Sequence, residues 1–134
     1  VLVVDDEPFV GRVIRLVLEE QRLAEVMVAG CGAEMWEVLA RAKPDLILLD
    51  ILLPDAHGLA LLSQLQDNEQ YKDVPVIVLT GVAGVESSAG GFELAEGILA
   101  KPLAPRALQE TVRRYIQQSA AEKPVMTKGQ QAYG

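Results

Sequence analysis

Three short runs in this chain, Val1–Val4, Leu46–Leu49 and Val76–Leu79, contain no polar residue at all. A strand exposed on one face alternates apolar with polar positions, so strands without alternation have to be buried on both faces. A parallel sheet covered by helices on each side meets that demand. Glu25–Ala29 and Ile98–Ala100 complete a set of five predicted strands. The stretches between them switch to helical spacing, which predicts βα units. Val10, Val13, Ile14, Val17 and Leu18 mark a first helix, with Pro8 near its start where a missing N–H does no harm. Met35, Trp36 and Leu39 mark a second, and Leu59, Leu62 and Leu65 a third. Leu108, Val112, Tyr115 and Ile116 mark the last, after Pro105. These stripes read as core. The remaining slot, Gly81–Gly97, holds Gly81, Gly84, Gly90, Gly91 and Gly97. Each interior glycine costs about 1 kcal/mol of helix relative to alanine, so a short or frayed helix is expected there.

At 134 residues the chain has the length of one domain. Periodicity ends near Gln118, which divides it into a folded unit over 1–118 and a polar tail or linker over 119–134. Half of the residues are apolar and the net charge is −7, with lysines and arginines scattered. That balance argues against nucleic-acid binding by this segment, because phosphate recognition needs clustered cations. No run approaches the ~20 apolar residues of a membrane span, and the opening run turns acidic too soon for a signal peptide. A cytoplasmic location is expected. Cys31 has no partner for an internal disulfide and reads as a small residue beside two glycines. The chain opens inside a strand-like run without methionine, so further residues are expected upstream, which leaves room for a larger parent protein.

Charge falls where the apolar runs end. Asp5 and Asp6 follow the first run, Asp50 closes the third, Thr80 closes the fourth and Lys101 ends the fifth. In an open α/β sheet of strand order 2-1-3-4-5 these carboxyl ends form one edge, where such sheets place their sites. Crowded carboxylates raise one another's pKa and cost stability unless a metal or a lysine compensates them. Hard oxygen donors of this kind suit Mg²⁺, which takes one or two carboxylates and keeps several waters. A carboxylate with a metal, a lysine and a hydroxyl around it has the parts that phosphoryl transfer requires. Taken singly, Asp6 reads equally well as a helix cap, Asp50 as a turn residue before Pro54 and Lys101 as a surface lysine. Their joint placement favours a site.

The stretches Val3-Val4-Asp5-Asp6-Glu7-Pro8, Asp45 to Pro54 with Gly58, Pro75-Val76-Ile77-Val78-Leu79-Thr80 and Lys101-Pro102 together resemble the receiver domain of two-component response regulators. The likeness extends from Val1 to about Gln118. It implies a flavodoxin-like (βα)₅ doubly wound parallel sheet. It also implies that Asp50 is the phosphoacceptor, charged by a histidine kinase or a histidine phosphotransfer protein. Asp6 would bind Mg²⁺ directly beside Asp50 and the backbone carbonyl of Leu52, with Asp5 acting largely through water. Thr80 and Lys101 would hold the phosphoryl oxygens, and the Lys101–Pro102 bond would be cis. By the same likeness the chain catalyses only its own phosphorylation and dephosphorylation, and its output is a downstream protein or a linked effector domain. Three positions depart from the family. Ile98 stands where Tyr or Phe is usual, Leu103 replaces a phenylalanine, and the segment after Thr80 carries glycines. Ile98 has no ring to turn behind Thr80, so the glycine-rich segment is expected to carry the switch instead.

Rival readings fit less well. An aspartyl phosphatase of the haloacid dehalogenase type carries Asp-x-Asp after its first strand, which Asp5-Asp6-Glu7-Pro8 does not match. A flavin carrier of similar topology needs Ser, Thr and Gly there to cradle a phosphate, and acids repel one. A receiver-like scaffold that no longer accepts phosphate is the alternative left. His57, before Gly58, reads as a turn residue rather than a ligand.

Overall fold

The structure, a computed structural model, describes residues 1–81 and 92–122. Five parallel strands form one sheet: β1 (Leu2–Val4), β2 (Met27–Ala29), β3 (Ile47–Asp50), β4 (Val76–Thr80) and β5 (Gly97–Ala100), in the order β2-β1-β3-β4-β5. Among the described residues the α-helices are α1 (Pro8–Glu20), α2 (Gly32–Arg41), α3 (Gly58–Gln66) and α4 (Pro105–Glu122), with a 3₁₀ turn at Phe92–Leu94. Most of the Gly81–Gly97 slot, namely 82–91, lies outside the described residues, and so does the expectation made for its helix. Residues 123–134 lie outside as well. The last helix runs to Glu122, past Gln118 where its sequence periodicity fades.

The apolar runs are buried on both faces because their side chains alternate between two cores. Along β3 and the residue before it, Ile47 and Leu49 join Leu2, Val4, Val76 and Val78 beneath α2 and α3, which contribute Met35, Leu39, Leu61, Leu62 and Leu65. Leu46 and Leu48 point the other way and join Val3, Ile77 and Leu79 beneath α1 and α4, which contribute Ile14, Leu18, Leu108 and Val112. A period of two in the strands and one apolar stripe per helix thus give a doubly wound, three-layer domain. Each fully buried Leu or Ile contributes about 1.5–3 kcal/mol relative to exposure.

Strand limits differ from the sequence expectation in ways that bear on the site. The third strand runs through Asp50, which pairs with Leu79, so this residue is the last of the ladder rather than the first of a loop. The second strand starts at Met27 rather than Glu25, although the Glu25 carbonyl still accepts from the Val1 amino group (2.9 Å); on the outer edge, Val26 gives its N–H to Glu19 Oε2 (3.0 Å) and its carbonyl to Arg15 (2.9 Å).

Candidate functional site

Parallel pairing in the order β2-β1-β3-β4-β5 brings the carboxyl ends of β1, β3, β4 and β5 to one edge of the sheet. Asp5 follows β1 and keeps the ladder's direction by donating its N–H to the Ala29 carbonyl (2.9 Å). Its side chain is buried, Asp6 beside it is exposed, and Asp50 is 7% exposed. Oxygen atoms of these three carboxylates lie within 4.8 Å of one another. Thr80, also buried, ends β4 and accepts the Lys101 N–H at its carbonyl (2.8 Å), which fixes the start of the lysine against the site. The Lys101–Pro102 bond is cis, as the resemblance implied.

Lys101 Nζ lies 2.8 Å from Asp5 Oδ2, 2.8 Å from Glu7 Oε1 and 3.4 Å from Asp50 Oδ2. Burial works against its charge, yet the pairing with Asp5 and Glu7 and the field of Asp50 outweigh it and raise its pKa above that of an ordinary lysine. Asp50 is pushed above the usual carboxylate range, first by desolvation and then by Asp5, with Lys101 and the Leu52 N–H opposing. One lysine does not neutralise the cluster. Asp5 Oδ2 is buried and receives no aligned hydrogen bond; its contact with Lys101 is an ion pair by distance. A buried carboxylate oxygen with spare coordination capacity, among hard oxygen donors, fits a small divalent cation.

The loop after Asp50 is a tight hairpin turn. Gly58 N–H bonds to the Ile51 carbonyl and Leu53 N–H to the Ala56 carbonyl (3.3 Å), bracketing an antiparallel bridge between Leu52 and His57. In a pair bracketed this way, the N–H and C=O of Leu52 turn away from His57. The N–H comes within 3.4 Å of Asp50 Oδ1, and the Leu52 side chain is exposed. At Gly58 a β-carbon would overlap the Asp50 carbonyl and sit 2.7 Å from the Ile51 Cα, so only glycine lets α3 start against the strand end. His57 caps α3 by accepting the Leu59 N–H at Nδ1 (3.1 Å), in keeping with a turn role.

Of the residues singled out in the sequence, Asp5, Asp6, Asp50, Thr80, Lys101 and the Leu52 backbone all reach this edge. Two further acids at or near the site were not singled out in the sequence. Glu7, passed over as a residue leading into α1, holds Lys101, and its N–H binds Asp5 Oδ1 (2.9 Å). Asp55, in the hairpin turn, accepts the N–H groups of Gly32 and Ala33 at the start of α2 (2.8 and 3.0 Å). An excess of acids over cations at the strand ends was a signal for Glu7. Asp55 left none, because its partners are backbone amides far away in the chain.

Residues 1–113 match the family model described as the response regulator receiver domain. The chain belongs to that family. It is 29% identical over 121 residues to the response regulator Rre1 of Synechocystis, covering 90% of this chain and 52% of the relative. It is 31% identical to the phosphate regulon transcriptional regulatory protein PhoB of Pseudomonas aeruginosa, covering 96% and 58%. The chain thus spans about half the length of these curated relatives. A putative response regulator from Chloroflexus aurantiacus superposes with a TM-score of 0.78 at 31% identity, over 87% of this chain and 95% of that one. These likenesses agree with the five-stranded flavodoxin-like sheet described above. No helix among the described residues is long and apolar enough to cross a membrane.

Proposed function

We propose that this receiver domain takes a phosphoryl group onto Asp50 from the phosphohistidine of a histidine kinase or histidine phosphotransfer protein, in a Mg²⁺-dependent reaction. The aspartyl phosphate then alters contacts with a downstream protein or a covalently linked effector domain. One observation carries this reading: Asp50 is held at the end of β3 in reach of Lys101, inside a carboxylate cluster that the lysine leaves under-neutralised. A carboxylate oxygen of Asp50 attacks phosphorus in line with the histidine nitrogen. The O–P bond forms as the N–P bond breaks, and its electron pair returns to the imidazole, which keeps or gains a proton from solvent. Lys101 pairs with one phosphoryl oxygen and the Thr80 hydroxyl donates to another. Asp6, Asp50 and the Leu52 carbonyl would hold Mg²⁺, with Asp5 acting largely through water. Bound there, the ion supplies charge neutralisation for the transferring group.

In this reading the chain catalyses only its own phosphorylation and dephosphorylation, and it works in the cytoplasm. Intact-mass measurement after incubation with acetyl phosphate and Mg²⁺ tests the assignment. One added phosphate is expected in the parent protein and none in Asp50→Asn. Equal labelling of that variant overturns Asp50 as acceptor, and no labelling of either protein identifies a scaffold that has lost the reaction.

A further inference from the structure

The α2 helix is capped from outside. Its own N-cap residue, Cys31, makes no side-chain cap, and the first amides of the helix, from Gly32 and Ala33, bind the carboxylate of Asp55 instead. These bonds and the Cys31 thiol hold the Asp55 carboxyl below its ordinary pKa. Gly32 leaves room for the contact, since a β-carbon there would lie 3.3 Å from Asp55 Oδ1 and 3.3 Å from Leu61. Asp55 lies at the tip of the hairpin whose arms are Ile51–Leu53 and Ala56–Gly58. The root of that hairpin is fixed by the close approach of Gly58 to Asp50. Leu53 and Ala56, on either side of its tip, are half-buried against the core, whereas Pro54 and Asp55 at the tip itself are exposed. The two bonds from α2 tie down the exposed end of the turn, beyond the packing of Leu53 and Ala56.

We infer that Asp55 is a positioning residue for the site: by tying the hairpin tip to α2, it sets the direction of the Leu52 carbonyl and N–H, and so the affinity of the pocket for Mg²⁺. The inference rests on the metal reading given above. Backbone ligands have no rotamers to adjust, so a carbonyl donor is only as well aimed as its turn. Supporting groups of this sort typically change metal affinity by about tenfold or more when removed.

Mg²⁺ titration by calorimetry, with thermal melts of the same samples, tests this. Asp55→Ala is expected to bind Mg²⁺ about tenfold more weakly than the parent, and Asp55→Asn, which keeps one acceptor oxygen, to fall between. A merely structural role is separated by Cys31→Ser in the Asp55→Ala background. Serine at the N-cap restores a local cap to α2 but no tie to the hairpin. Melting temperature should recover while Mg²⁺ affinity stays low. Recovery of both shows that Asp55 only stabilises α2 and overturns the inference, as does unchanged affinity in Asp55→Ala. Failure of the parent protein to bind Mg²⁺ at all rejects the metal reading, and this inference with it.

Discussion

Asp50 is held against its own preference. Burial and the neighbouring Asp5 raise its pKa above the ordinary 3.8, so ionising it costs more in the folded chain than in the unfolded one. For a carboxyl raised in this way, the folded state binds the proton more tightly between the two values. Stability contributed by the group therefore falls as pH rises through that window, and at neutral pH the full cost is present. Without metal, Asp50→Asn should raise the melting temperature by a few degrees at neutral pH, with the gain shrinking toward acid pH. A calorimetric melt that leaves the variant no more stable than the parent would show that Lys101 already compensates the charge. Gly58→Ala should act oppositely. Its methyl group would overlap the backbone at Asp50 and Ile51, costing about 1–3 kcal/mol in denaturant unfolding and displacing Asp50. The placement of Asp50, its acidic neighbours and Lys101 at one sheet edge was legible in the sequence because each ends an apolar run. Asp55 was not, since its partners are backbone amides distant in the chain that no local pattern announces, and Glu7 was signalled only by the excess of acids over cations at the strand ends.

At the level of elements, the edge strand β2 shows how side chains finish what a ladder leaves open. Odd-numbered residues face β1, as the bonds from Met27 N–H to Val1 and from Asp5 N–H to Ala29 show, so Val26, Val28 and Gly30 face outward. Side chains of α1 take the N–H and carbonyl of Val26, and Glu34 of α2 takes the Gly30 N–H (2.6 Å). An edge so occupied offers little to a second strand. Replacing Arg15 and Glu19 together by alanine should change stability little, as both are exposed, but increase self-association. Sedimentation velocity showing an unchanged monomer at high concentration would refute this. Helix and strand types were readable from period alone, because a two-sided parallel sheet leaves continuous apolar runs. Strand ends were less readable. The outer edge at Val26 is completed by Arg15 and Glu19, which a scan of apolar runs treats as solvated helix surface.

The whole molecule carries a charge of −7, and its local excess of acid sits at the sheet edge that the topology builds. A cation bound to the folded state alone stabilises it by mass action, by about 2.7 kcal/mol at one hundred times its dissociation constant. Mg²⁺ should therefore raise the melting temperature well beyond the effect of sodium chloride at equal ionic strength, which measures screening alone. Asp6→Ala should abolish the difference. The sign with pH is fixed by the same group that makes the metal-free fold costly. Binding requires Asp50 ionised, so the Mg²⁺-dependent increment should decline as pH falls through the raised pKa of Asp50, above 3.8. Over that same interval the metal-free protein gains the stability that protonation of Asp50 returns to it. The melting curves with and without Mg²⁺ should then converge on the acid side and diverge toward neutral pH. An increment that stays constant across the interval, or persists in Asp6→Ala, would place the cation elsewhere on this acidic surface and remove the metal from the account of Asp50.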